Sequence, residues 1–191
     1  MRRTFLFGGA AALSILTLAT PARASAGRRL ALRHAATGAR FEGVWHDGRA
    51  PDPGAMRELS LALADPGCEP PLPFEPDTIA LVWEVAARTR LGDLDIRSGY
   101  RTPQVNRRVH GAGDSLHIRA SAVDLGVPRG RLAAVAETAL SLGRGGVGVY
   151  ARRAFVHLDT GSVRSWSDAG QLDLGDDPVA RVARAWTQGT R

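Results

Sequence analysis

Apolar and polar residues alternate over Leu30–Arg33 and again over Phe41–Trp45, the period of half-buried strands. Ala35-Ala-Thr-Gly38 between them reads as a hairpin turn, and His46-Asp-Gly48 closes the second strand. The period then becomes helical. Met56, Leu59, Ser60 and Leu63 share one face of a helix from about Pro53 to Ala64, with Asp52 ahead of it as a cap. Asp65 to Pro76 holds five prolines and one glycine, which predicts an ordered but irregular loop. Asp77 caps a second helix with a buried stripe of Ile79, Val82, Trp83 and Ala86, and Gly92 ends it. Leu94-Asp-Ile-Arg97 is a strand with Leu94 and Ile96 inward, and it delivers Ser98-Gly-Tyr-Arg101 at its end. Thr102-Pro103 starts a short helix carrying Val105 and Asn106. A third helix, Arg129 to Leu142, places Leu132, Val135, Ala136 and Ala139 on one side. Val147–Tyr150 and Phe155–Leu158 form a hairpin across Ala151-Arg-Arg153. The tail after Trp166 is polar, with Val179, Val182, Ala183 and Trp186 as the stripe of a terminal helix from Pro178. Helices mixed with a mostly antiparallel sheet predict an α+β fold.

The first 26 residues change the picture of where this fold works. Arg2 and Arg3 precede an apolar run from Phe5 to Ala19, and Ala22-Arg23-Ala24 and Ala24-Ser25-Ala26 offer small-x-small cleavage sites. That is the layout of an export signal over residues 1–26, and Arg-Arg-Thr-Phe-Leu shares features with a twin-arginine signal as well as with ordinary secretion. The apolar run is shorter than the ~20 residues a membrane span needs, so the expectation is a cleaved leader and no membrane anchor. Residues 27–166 form the domain and residues 167–191 a C-terminal tail.

Loss of Arg2, Arg3 and Arg23 with the leader lowers the formal charge from +6 to +3. The 25 basic residues are all arginine and are scattered, without the dense run and interleaved aromatics of a nucleic-acid surface. A mild positive balance favours approach to an anionic cell wall. Cys68 is the single cysteine, so no internal disulfide is available, and its proline-rich setting reads as an unpaired loop thiol.

The chemistry concentrates in Ser115-Leu-His-Ile-Arg-Ala-Ser-Ala-Val-Asp124 and Phe155-Val-His-Leu-Asp159. Together they supply two imidazoles and up to two carboxylates, enough for a zinc site with three protein ligands and an open position. His117 and Asp124, seven residues apart, would point to opposite faces of a straight strand. A bend around Arg119-Ala120-Ser121 brings both to one cavity. In the second segment Phe155, His157 and Asp159 share one strand face, while Val156 and Leu158 face a core. A lone histidine is more often structural. The linked set makes His117, Asp124 and His157 the expected metal ligands. Asp159 either orients a ligand histidine or acts as the base on a water, and the orienting role is the stronger expectation. Arg101 suits a carboxylate or a developing oxyanion, or it is a surface residue at the turn. Tyr100 packs and Asn106 holds its loop. Trp166 packs in the core or lines the cleft. His34, His46 and His110 fit no ligand pattern and are expected to face solvent. Gly143 to Gly148 lacks the Lys-Ser/Thr ending of a phosphate loop.

SLHIRASAVDL followed by FVHLDTG, together with SGYRTP and Asn106, GGVGVY and GSVRSW, resembles the M15-type zinc peptidoglycan peptidases, in particular an exported subgroup of murein endopeptidases. The resemblance covers about Arg29 to Trp166. It implies the small zinc-peptidase fold shared with D-alanyl-D-alanine peptidases and hedgehog signalling domains. It also implies Zn2+ as cofactor and hydrolysis of peptide cross-links through a metal-activated water, with Ser115 and Arg101 on the substrate. Ser115 has a plain turn or cap reading beside that one. Two departures are visible: the family usually has glycine where this chain has Ala120, and the acids or histidines that related enzymes use as base fall here on Ala154 and Phe155. The resulting expectation is a periplasmic or exported monomer acting on peptidoglycan stem peptides, without nucleic acid. A D-Ala-D-Ala carboxypeptidase and a non-catalytic zinc-containing cell-wall-binding domain are the alternatives.

Overall fold

The computed structural model describes residues 27–168. The leader and the terminal helix expected from Pro178 lie outside the described residues. Strands β1 (Arg28–His34) and β2 (Arg40–His46) form the first hairpin. Helices α1 (Pro53–Ala62) and α2 (Pro76–Thr89) follow, then β3 (Leu94–Ser98) and the short α3 (Pro103–Arg108). A 3₁₀ turn at Leu116–Arg119 leads into β4 (Ala122–Gly126). Helix α4 (Leu132–Leu142) and strands β5 (Gly146–Tyr150), β6 (Phe155–Asp159) and β7 (Arg164–Ser167) complete the order.

Local signals explain most boundaries. Asp52 accepts a hydrogen bond from the Ala55 N–H (2.7 Å) and caps α1. Helix α2 begins two residues earlier than expected, with Glu75 and not Asp77 at the cap position, because Pro76 presets the backbone of its first position. Asp77 then sits in the first turn, where its charge favours the helix dipole. The helix ends at Thr89 on Arg90 in left-handed conformation (φ 52°), ahead of Gly92. The expected third helix is a 3₁₀ turn over Arg129–Arg131 before the α-helix proper.

The seven strands lie in the order β2-β1-β3-β4-β6-β5-β7. Four ladders are antiparallel, but β1/β3 and β5/β7 are parallel. The sheet is therefore mixed, which corrects the mostly antiparallel expectation. After the first hairpin the chain crosses through α1 and α2 and returns beside β1 in the same direction. Both edges of β6 are taken by β4 and β5, and the chain after it adds β7 on the far side of the adjacent β5. Residues 164–167, given no element from the sequence, thus form an edge strand.

One face of the sheet carries the core. Ile79, Val82, Val85 and Ala86 of α2 and Leu132, Val135, Ala136 and Ala139 of α4 pack with Ile96, Val123, Leu125, Val147, Val149, Val156 and Leu158, all buried. Trp83, expected in the α2 stripe, is half-buried with the Arg28 guanidinium over its ring (4.7 Å). One other expectation is corrected. His34 is fully buried, because Asp65 supplies a partner for its ring (3.0 Å). Cys68 is unpaired in its loop but buried, and its sulfur accepts the Thr102 N–H (3.3 Å). The opposite face of β4, β6, β5 and β7 is left for the cleft.

Candidate metal centre

Register places the chemistry in one row across four strands. Asp124 of β4 pairs with His157 of β6, His157 with Gly148 of β5, and Gly148 with Trp166 of β7. Gly148 has no side chain, so the Trp166 ring leans over β5 to within 5.1 Å of the His157 ring centroid. A Cβ on Gly148 would lie 2.5 Å from Trp166 Cε2. Gly146 does the same for Arg164, whose Nη2 reaches across to Asp159 Oδ2 (2.8 Å).

His117 arrives by another route. It sits in the 3₁₀ turn, not on a strand, and Ala120 at φ 53° reverses the chain into β4. A left-handed residue costs an L-amino acid with a Cβ roughly 1–2 kcal/mol, which gives a physical reason for the glycine that the resemblance led one to expect here. The turn brings His117 Nε2 to 3.2 Å from Asp124 Oδ1 and 3.2 Å from His157 Nδ1, with 2.8 Å between His157 Nδ1 and Asp124 Oδ1. A tetrahedral centre with bonds of about 2.0–2.1 Å has ligand–ligand edges of about 3.3 Å, so the triangle fits a small divalent metal.

The proton inventory supports that fit. His117 Nδ1 donates to the Gly99 carbonyl (2.6 Å), and His157 Nε2 donates to Asp159 Oδ2 (2.9 Å). With those N–H groups committed, both neutral rings point lone pairs at each other and at a carboxylate oxygen. Three acceptors facing one another need a cation or a proton between them. Among the described residues this is the one group of three His, Cys, Asp or Glu side chains able to share a metal.

Electrostatics favours a proton on His157 among these acceptors when no cation is bound. Burial pushes His157 down, but its hydrogen bonds and attraction to Asp124 and Asp159 outweigh that and raise it above its usual 6.5. Burial likewise pushes Asp124 up, and its bonds to His117 and His157 outweigh that and hold it well below the usual carboxylate range. The raised His157 contributes stability to the metal-free protein that is present below pH 6.5 and lost as pH rises through its elevated value. Metal must displace that proton. Metal affinity, measured by calorimetry in buffers of different ionisation heat, is expected to rise with pH through neutrality with proton release. A flat affinity between about pH 6 and pH 8 would contradict this.

Asp159 is fully buried and stands behind His157, on the side away from the triangle. It accepts five hydrogen bonds, from Gly146 N–H, Gly161 N–H, His157 and twice from Arg164. Arg101 and Ser115 both line the cleft, a cavity of about 760 Å³ that also takes in His117, Asp124, His157 and Trp166. The Arg101 backbone N–H donates to the His117 carbonyl (3.1 Å), and its Nε is buried without a hydrogen-bond partner. Ser115 precedes the 3₁₀ turn and makes no side-chain cap bond. Tyr100 is in the core, and Asn106 holds its loop through the Ala112 carbonyl (2.8 Å). His110 is exposed as expected and His46 half-buried. Trp166 lines the cleft and donates its indole N–H to the Tyr150 hydroxyl (2.9 Å). Arg164 and Tyr150 were given no role from sequence. Reading 164–167 as a strand would have exposed Arg164, since it and Trp166 share a face at spacing two.

Comparison with known proteins identifies the family. The family described as peptidoglycan L,D-endopeptidase MepK matches residues 22–166. The probable peptidoglycan L,D-endopeptidase MepK of Haemophilus influenzae is 30% identical over 148 residues, covering 73% of this chain and 78% of that protein. The peptidoglycan L,D-endopeptidase MepK of Escherichia coli K12 is 29% identical over 177 residues, covering 86% and 96%. With the match spanning residues 22–166, nearly all of the described fold and every residue of the triangle, this chain belongs to the MepK family of M15-type peptidoglycan peptidases.

Proposed function

We propose that this protein is an exported zinc-dependent endopeptidase that hydrolyses peptide cross-links between peptidoglycan stems. The observation that carries the reading is the triangle of His117, Asp124 and His157, whose two rings have their other N–H groups committed elsewhere. Two imidazoles and one carboxylate suit zinc with an open position. Zinc held there would supply a Lewis acid and a water of lowered pKa. Family membership and the relatives' names supply the substrate class.

The other roles follow from placement. Asp159 orients His157 and raises its basicity, with Arg164 locking the carboxylate. Its complete burial away from the cleft argues against the role of base. Arg101 offers its guanidinium to a substrate carboxylate or oxyanion, and Ser115 offers its hydroxyl to the peptide. The cleft lining also holds His110, Asp114 and Tyr150 as proton-carrying groups, and Ala154 and Phe155 leave the usual base positions empty of one. The α+β architecture is taken to be the small zinc-peptidase fold shared with hedgehog domains. Residues 1–26 are taken as an export leader, 27–166 as the peptidase domain and 167–191 as its tail, giving a periplasmic monomer. No helix among the described residues is long and apolar enough to cross a membrane.

The test is digestion of purified cross-linked muropeptides with and without a chelator, read by mass spectrometry. Chelator-sensitive separation of two stems is the expected result. Loss of a terminal D-alanine alone would make the protein a carboxypeptidase. Binding without any product would make it a non-catalytic wall-binding domain.

A further inference from the structure

The Ser98–Arg101 turn holds the metal site at two points. Its Gly99 carbonyl accepts the His117 Nδ1 proton (2.6 Å), and its Arg101 N–H donates to the His117 carbonyl (3.1 Å). The turn itself rests on Asp65. Asp65 Oδ1 accepts the Gly99 N–H (2.9 Å) and the His34 Nε2 proton (3.0 Å), and Oδ2 accepts the Ser98 hydroxyl (2.7 Å). Arg101 Nε lies 3.9 Å from Oδ2. Backbone bonds from Asp65 N–H to Tyr100 O (2.9 Å) and from Tyr100 N–H to Leu63 O (2.8 Å) press the two segments together. A Cβ on Gly99 would overlap the Leu63 carbonyl oxygen. Behind Asp65, His34 is fully buried, and its Nδ1 accepts the Ala36 N–H (3.2 Å), which puts its proton on the nitrogen that faces Asp65.

A loop could be anchored here by packing alone. A half-buried carboxylate with three hydrogen bonds, one from a fully buried histidine that has no other side-chain partner, does more than anchor. It fixes the Ser98–Gly99 peptide, because one oxygen takes the Gly99 N–H and the other takes the Ser98 side chain. The carbonyl that meets His117 belongs to the next peptide, Gly99–Tyr100, whose N–H is held by the Leu63 carbonyl, so the carboxylate aims that carbonyl, and with it the His117 ring, by fixing the peptide before it. We propose that Asp65, backed by His34, is a positioning residue of the metal centre, acting on His117 through the Gly99 carbonyl and on Arg101 through the same turn. The inference rests on the reading of His117, Asp124 and His157 as metal ligands.

The test uses Co2+ as the probe, with affinity measured by competition against a chromophoric chelator and geometry by the visible absorption of the saturated site. Asp65→Asn is expected to weaken Co2+ binding about tenfold, the lower end of the range for outer partners of metal ligands, and to change the absorption envelope at saturation. Ser98→Ala, which removes one bond and little volume, should move both readouts the same way by less. It also decides the matter if Asp65→Asn does not fold. Val135→Ala, a core truncation in α4 away from the cleft, serves as the control. It should lower the unfolding temperature of the metal-free protein while leaving Co2+ affinity and spectrum unchanged. If the Asp65 and Ser98 variants behave like Val135→Ala, the role is structural and the proposal is wrong. Absence of Co2+ binding by the unsubstituted chain would overturn the metal reading and this proposal together, and is told apart by that baseline measurement.

Discussion

Asp124→Asn is expected to lose the metal and to lower cross-link hydrolysis by at least about 10³-fold. Metal binding free energies of about 10–16 kcal/mol, spread over three or four ligands, put each ligand at several kcal/mol. Asp124 is also the only anion in the triangle, so its loss leaves a dication facing two neutral rings in a mostly buried site. Asparagine keeps the volume, and Val123 and Leu125 still hold β4 in the core. The fold should therefore survive, which circular dichroism can establish. His157 loses one of the two carboxylates that raise it, so the metal-free variant should also show a lower histidine pKa by NMR. Metal content after dialysis and turnover of a cross-linked muropeptide are the deciding measurements. One metal per chain with near-normal turnover would remove Asp124 from the ligand set.

The part of this site carried by strands was legible in the sequence, and the part carried by turns was less so. Period-two alternation in Phe155–Asp159 correctly separates Val156 and Leu158 from His157 and Asp159, and β4 and β6 then pair Asp124 with His157 directly. His117 was expected on a bent strand and sits in a 3₁₀ turn. Backbone periodicity cannot distinguish these, since either brings it back over β4. The stripe of α4 is buried as its spacing predicts, because its four apolar residues have a single face available.

What escaped has a common cause: partners distant in sequence. His34 looked like a solvent-facing residue beyond the strand until Asp65, 31 residues on, supplied its acceptor. Asp65 looked like one more polar residue in a proline-rich loop. Arg164 carried no signal alone, and its role exists only because β7 adds in parallel to β5 and Gly146 leaves the path open. The mixed sheet has the same origin, since strand order depends on crossovers and not on local pattern. Family resemblance pointed to the candidate ligands but not to these supports: His34 and Asp65 lie outside its short motifs, and Arg164, inside GSVRSW, carried no assigned role.

Asp159→Asn is the second large effect, and it should appear in stability and in metal binding at once. The carboxylate is buried and meets five donors. Burial pushes it up, but the His157 bond and the Gly161 and Gly146 N–H groups outweigh that and hold it at about 2, below its usual 3.8. That depression is worth about 2 kcal/mol at neutral pH. The stability is present above 3.8 and is lost as pH falls through about 2. Asparagine offers one oxygen for donors on both sides and turns an NH2 toward either Arg164 or His157. A buried donor then faces a donor, so a loss of about 3–5 kcal/mol is expected in the metal-free protein, as for a broken buried ion pair. His157 would also lose its orienting acceptor, which should weaken metal affinity about 10–100-fold. Excess zinc should then restore much of the rate, because the ligand atoms themselves remain. If Asp159 were instead the base, metal would bind nearly normally while turnover fell by about 10²–10⁴-fold. Saturating zinc separates the two. Recovery of turnover supports orientation, and full occupancy with almost no hydrolysis would make Asp159 the base despite its burial.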